Sequence, residues 1–309
     1  MYISSDILTT LGYFDAFNYP LKKREIYLFL PRACDNSEFE NALQKLVNES
    51  LLYRLGEFYS LQNNYSISQR RITGNEKAKR LLLIANKVAA FLSKFPFVKG
   101  VAISGSLSKN FADENSDIDL FIITKSNRLW ISRTILHLFK KLTFLVDRQH
   151  YFCMNYFIDE EKLGIAEKNV YTATEIATLM PLYGSQGFQA FFSANSWMKE
   201  FLPNNYMRIS SAKDIPMSFG KRFAEAILEI IAGNRIDNLL MKITESRWQQ
   251  KRNKMQLNNS GTLMSMDASK HFAKPDPREF QAKLVALYFA KKVECEMMLQ
   301  DKVRISPAQ

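Results

Sequence analysis

Residues 101–124, VAISGSLSKNFADENSDIDLFIIT, restrict the fold of this chain more than any other stretch. They join two runs, 98–104 and 119–124, that are largely apolar and rich in β-branched side chains. Runs of this kind are strands covered on both faces, because a strand with one wet face alternates polar and apolar residues. A sheet built from them needs helices packed against it. The neighbouring sequence supplies them. Residues 75–95 place Ala78, Leu81, Leu82, Ala85, Val88 and Phe91 at helical spacing, residues 128–142 read as a second helix, and residues 151–158 read as a further strand.

The segment between the two strands is polar and carries the candidate chemistry. Gly105-Ser106 follows the first strand directly. Glycine there lets the backbone turn tightly and bring N–H groups against an anion such as phosphate, and the Ser106 hydroxyl adds a donor. Asp117 and Asp119 flank Ile118 at the mouth of the next strand, and the alternation of side chains sends both carboxylates to one side and Ile118 to the core. Two adjacent carboxylates raise each other's pKa, a cost that a hard divalent cation with oxygen ligands removes. Magnesium, or manganese in its place, is the expected occupant, bridging the phosphates of a nucleoside triphosphate. A Gly-Ser turn or an Asp-x-Asp pair alone is an ordinary loop feature. The specific signal is their order: strand, Gly-Ser, loop, Asp-x-Asp, strand.

That order resembles the signature of the polymerase-β-like nucleotidyltransferase superfamily, an apolar strand with Gly-Ser, about ten residues, then Asp-apolar-Asp-apolar. The resemblance spans roughly residues 75–160. It implies phosphate contacts from Gly105 and Ser106, metal ligation by Asp117 and Asp119, a nucleoside triphosphate as substrate, and a hydroxyl acceptor that the sequence leaves unknown. Many members continue Gly-Ser-x-Ala-Arg-Gly, whereas this chain has Leu107-Ser108-Lys109-Asn110. Ser108 joins the candidate phosphate loop, Lys109 replaces the arginine as a point charge, and Asn110 accepts the left-handed backbone of the glycine. The superfamily also places a third acid on a later strand. Here that strand, YFCMNYFI, carries Asn155, which can ligate a metal but cannot take a proton at neutral pH. Three arrangements stay open: Asp147 or Asp159 at the strand's borders substitutes, two acids suffice, or nucleotide binds without turnover.

Around this core the chain reads as α+β with three regions. Residues 1–70 follow the order helix, helix, helix, hairpin, an order that resembles a winged helix, with a capping box expected at Ser37 and Glu40 and a hairpin turn at Gly56-Glu57. The third helix offers Lys45 against Glu38, Glu40 and Glu49, so contact with protein, or structural support, is expected ahead of DNA binding. Residues 75–168 form the nucleotidyltransferase core. Residues 169–309 read as helical, with a break near Gly233-Asn234 and a mobile loop over 257–277. Tyr171, Thr174 and Glu175 open the first of these helices, where they can face a base or an acceptor.

A net charge of +11 favours polyanionic partners such as nucleotides; nucleic acid is allowed but not favoured, since no long basic run marks a duplex-binding tail. Cys34, Cys153 and Cys295 are dispersed, without the paired spacing of a zinc site. No uncharged run approaches the ~18 residues of a membrane helix, so the expected place is the cytoplasm, with no membrane partner. The functional expectation is transfer of a nucleoside monophosphate to a hydroxyl with release of pyrophosphate. The alternative is a regulator that senses nucleotide or binds DNA or protein through an impaired core. A purely structural role has little support, since an idle pair of carboxylates only costs stability.

Overall fold

The computed structural model describes residues 2–114, 116–146, 148–205, 212–231, 233–255, 266–275 and 278–305. Its first unit runs α1 (Tyr2–Asp15), β1 (Leu21–Lys22), α2 (Lys23–Leu28), α3 (Asn36–Asn48), β2 (Tyr53–Leu55) and β3 (Phe58–Ser60). Its core packs Ile7, Leu8, Leu11 and Phe14 of α1 with Phe39, Leu43 and Leu46 of α3. Gly56 turns the hairpin at φ +68°. Two details differ from expectation. Leu21 and Lys22 add a third strand to the hairpin, in the order β1-β3-β2. The capping box at Ser37 does not form: α3 begins at Asn36, and the Glu40 carboxylate instead accepts from Lys23 and Asn36.

α4 (Tyr65–Leu92) starts well before the expected residue 75. Its first turns are polar and contain a glycine, so the apolar stripe read from the sequence begins only later. Arg71 is only 2% exposed, yet every part of its guanidinium is engaged, donating to Glu25 and the Pro20 carbonyl at 2.7 Å each and to Asn75 at 3.0 Å. A charge buried with that many partners is tolerated. Gly74 leaves room for the Phe111 ring, since a Cβ there would lie 2.3 Å from it.

From α4 the chain enters a six-stranded sheet ordered β7-β4-β5-β6-β9-β8. It passes through β4 (Val98–Ile103), the single turn α5 (Gly105–Ser108), β5 (Asp119–Thr124), α6 (Leu129–Thr143), β6 (Cys153–Asp159) and α7 (Val170–Thr178). β4 and β5 are antiparallel, whereas β5 and β6 run parallel. Alternation along β5 sends Leu120 and Ile122 to the side of α4 and α6, and Phe121 and Ile123 to the side of α7 and the next helix. Both faces are therefore dry, as the apolar runs required.

Beyond α7 come β7 (Met180–Tyr183), α8 (Ser185–Ala194), α9 (Met198–Phe201), α10 (Phe219–Ile231), α11 (Gly233–Asn253), β8 (Met266–Ala268), β9 (Phe272–Pro275) and α12 (Arg278–Ile305). The region after residue 169, expected to be mostly helical, also contributes three strands. β7 is an edge strand on β4, and β8 with β9 forms a hairpin on β6 inside the stretch read as a loop. The break before Gly233 lies where it was expected, Gly233 taking φ +46°. α12 returns to the first unit and packs on α1, placing Cys295 and Leu299 in the same core. α10 is turned inside out. Lys221 donates to the Ser93 and Val98 carbonyls at 2.8 Å each and Glu225 accepts from the Phe97 amide, while Phe219, Phe223 and Ile230 on the other face are 83%, 58% and 86% exposed.

Candidate active site

The ends of β4 and β5 meet where the Ser104 amide donates to the Asp119 carbonyl at 2.9 Å. The chain then turns through Gly105 at φ +65° into α5. A Cβ at Gly105 would stand 2.5 Å from the Asp119 carboxylate oxygen Oδ2, so the turn and the acid are in direct contact. Glycine is required here twice, for its backbone conformation and for the space it leaves. Ser106 is exposed on the first turn, and Asn110 closes the segment at φ +58°, the left-handed conformation expected of it.

Asp119 is half-enclosed. Its Oδ1 accepts from the amide of Asn155. That contact depends on an irregularity in β6: Leu120 pairs with Met154 but Phe121 pairs with Tyr156, so Asn155 is the extra residue of a bulge. The bulge also resets the alternation of β6 and brings Tyr156 onto Phe121 as a stacked pair, centroids 4.8 Å apart. The Cys153 thiol donates to Asn155 Oδ1 at 3.1 Å. The Asp119 carboxyl is pushed up to about 6, chiefly by burial, with the charges of Asp117 and Glu175 adding to the rise and the Cys153 thiol and Lys109 opposing it. Asp117 is exposed beside it, with Ile118 between them fully buried. The set offers hard oxygen donors and a carboxyl that lacks a compensating cation, which fits a divalent metal ion.

The other candidates fall in different places. Lys109 reaches Glu175 at 2.8 Å and the Gly105 carbonyl at 3.2 Å. Ser108 is fully buried, and its hydroxyl donates to the Gly105 carbonyl at 2.8 Å, so it helps shape the turn. Asp159 is corrected. It pairs with Thr124 while Cys153 pairs with Asp119, five strand steps and about 17 Å apart. There it accepts from the Asn127 and Glu161 amides and from His271, anchoring the β8–β9 hairpin. Asp159, Glu161 and His271 bring ligand atoms within 4.8 Å of one another, a cluster no sequence spacing announced. Asp147 lies outside the described residues.

Two cavities flank the Gly105–Asp119 contact. One, of about 250 Å³, lies on the β6 side, bordered by Asp119, Asn155, Phe121 and Tyr156. The other, of about 330 Å³, lies on the α5 side against the first unit, with Ser106, Lys109, Arg70 and Phe111 in its wall. Gly105, Tyr171 and Glu175 border both. α7 presents the last two one turn apart, its N-terminus capped by Asn169, which accepts from the Thr172 amide at 2.9 Å.

Residues 85–172 match the family model of the nucleotidyltransferase domain, the span that runs from α4 through β4, the Gly105 turn, both aspartates and β6 into α7. The centre of this chain thus matches a nucleotidyltransferase domain. The match agrees with the polymerase-β-like resemblance of its strand, turn and acid pair. No curated protein and no solved structure matches the chain. The matched residues include Gly105, Ser106, Lys109, Asp117, Asp119 and Asn155, whereas Glu175 stands just beyond them and Arg70 before them.

Proposed function

We propose that the chain transfers a nucleoside monophosphate from a nucleoside triphosphate to a hydroxyl acceptor, releasing pyrophosphate. The observation that supports this most is the contact between Gly105 and the Asp119 carboxylate, which sets a phosphate-sized turn and a metal-type acid side by side. In this reading the β- and γ-phosphates lie on Gly105 and Ser106, with Lys109 adding positive charge, and Asp117 and Asp119 hold magnesium or manganese. The ion would neutralise charge developing on the phosphates. The protein's own part is to orient the triphosphate in the α5-side cavity and to admit the acceptor from the β6 side. Wild-type protein incubated with labelled triphosphates, magnesium and cell extract is expected to transfer label and release pyrophosphate, and Asp117→Ala and Asp119→Ala to abolish both. Turnover that survives either substitution overturns the reading.

A second reading, a nucleotide sensor without turnover, is favoured by one observation: Asn155 occupies an Asp119 oxygen from the strand where an acid is expected. The first unit supports it only in part. Its order of elements suits a winged helix, yet Glu38, Glu40 and Glu49 on α3 repel phosphate, so a protein contact or a structural role is the better proposal. Among the described residues no helix is long and apolar enough to cross a membrane.

A further inference from the structure

Transfer to a hydroxyl requires a group that takes the hydroxyl proton, and the geometry points to Glu175 as that group. This inference rests on the nucleotidyl-transfer reading above. β6 offers no carboxylate beside Asp119, because the residue there is the amide Asn155, with the Cys153 thiol turned to its Oδ1. Asp119 itself is taken up by the Asn155 amide and packed on Gly105. An acceptor entering from the β6 side and a phosphate held from the α5 side can meet only where the two cavities share a wall. Gly105, Tyr171 and Glu175 form that wall, and Glu175 is the one carboxylate among them. Through Lys109, which reaches both Glu175 and the Gly105 carbonyl, it stands beside the turn on which Asp119 packs.

The structure also provides a way to keep this carboxylate in place. Glu175 pairs with Lys109 at 2.8 Å, on the segment proposed to hold the triphosphate. Arrival of a triphosphate draws the Lys109 ammonium to the phosphates and frees the carboxylate toward the acceptor. In the transfer step the acceptor O–H proton passes to a Glu175 oxygen as the acceptor oxygen bonds to the α-phosphorus. The bond between the α-phosphorus and the bridging oxygen breaks, and pyrophosphate leaves with that electron pair.

The test compares wild type with Glu175→Gln, using the four α-phosphate-labelled ribonucleoside triphosphates, magnesium, and a deproteinised low-molecular-mass cell extract as the source of hydroxyls. The expected result is triphosphate binding within about threefold of wild type, with transfer slowed by about 10²- to 10⁴-fold, the usual range for a lost general base. Lys109→Met should show the opposite split, with weaker triphosphate binding as its main defect. A purely positioning Glu175 would instead weaken binding in parallel with Lys109→Met, and that overturns the inference. Equal transfer by wild type and Glu175→Gln overturns it while leaving nucleotidyl transfer intact. Wild type that binds triphosphate without transfer also overturns it, in favour of a sensor, and wild type that binds none removes the nucleotidyl-transfer reading itself. If Glu175→Gln does not fold, Glu175→Asp and Glu175→Asn, equal in size, make the same comparison with the carboxylate kept or lost.

Discussion

Replacing Gly105 with alanine separates the backbone demand of the turn from its contact with Asp119. The left-handed conformation at φ +65° costs an alanine about 1–2 kcal/mol. Gly56, at φ +68° with nothing within 4 Å of an added methyl, carries that cost and no other. At Gly105 the methyl would stand 2.5 Å from Asp119 Oδ2, so the carboxylate must also rotate out of its place against the turn and away from the Asn155 amide. Losing that hydrogen bond to a charged group adds about 1.5–3 kcal/mol. Urea unfolding should therefore show Gly56→Ala down by about 1–2 kcal/mol and Gly105→Ala by about 3 kcal/mol or more. Pyrophosphate release should be unchanged in Gly56→Ala and lost in Gly105→Ala at temperatures where both remain folded. Equal unfolding and equal activity in the two variants would refute the claim that the turn and the acid form one site.

Four further outcomes are expected. Asn155→Asp places a third carboxylate against Asp119; its thermal midpoint should fall in chelator and recover with magnesium more than that of wild type, and equal recovery would count against a metal at this position. Arg71→Ala leaves Glu25 and the Pro20 carbonyl without their buried partner and should lower stability by about 3 kcal/mol in urea unfolding. Asp237, 1% exposed and accepting from the Ile131 amide at 2.9 Å, has its carboxyl raised by burial to about 6. The folded state holds this proton more tightly than the unfolded chain, so the contribution is present below about pH 4 and is lost as pH rises to about 6, up to about 3 kcal/mol, and Asp237→Asn should lack that decline. Phe223→Ser, on the outward face of α10, should change stability by no more than about 0.5 kcal/mol, and a larger loss in denaturant titration would show that the ring is covered.

Much of the site was legible because its signals are local. Gly105, Asp117 and Asp119 lie within one strand-turn-strand passage, where alternation along β5 and the conformational freedom of glycine decide the geometry. The missed parts depend on contacts distant in sequence. The opening turns of α4 were not read as helix because Arg71 is a core residue only through Glu25 and Pro20. β9 looked like a loop because its strand character comes from pairing with β6, and Asp159 looked like a site acid because its partner His271 lies 112 positions away. Ser108 is polar in a polar segment, and nothing local reveals that it is buried with its hydroxyl donating to the Gly105 carbonyl. The bulge at Asn155 follows from pairing with β5, which no period in YFCMNYFI encodes.

The central claim is tested most directly by locating manganese through its anomalous scattering in crystals grown with a non-hydrolysable nucleoside triphosphate. The account predicts the ion between the Asp117 and Asp119 carboxylates with the phosphate tail on Gly105 and Ser106. Manganese at the Asp159, Glu161 and His271 cluster, with the two aspartates unliganded and the Gly105 turn bare of phosphate, would contradict it.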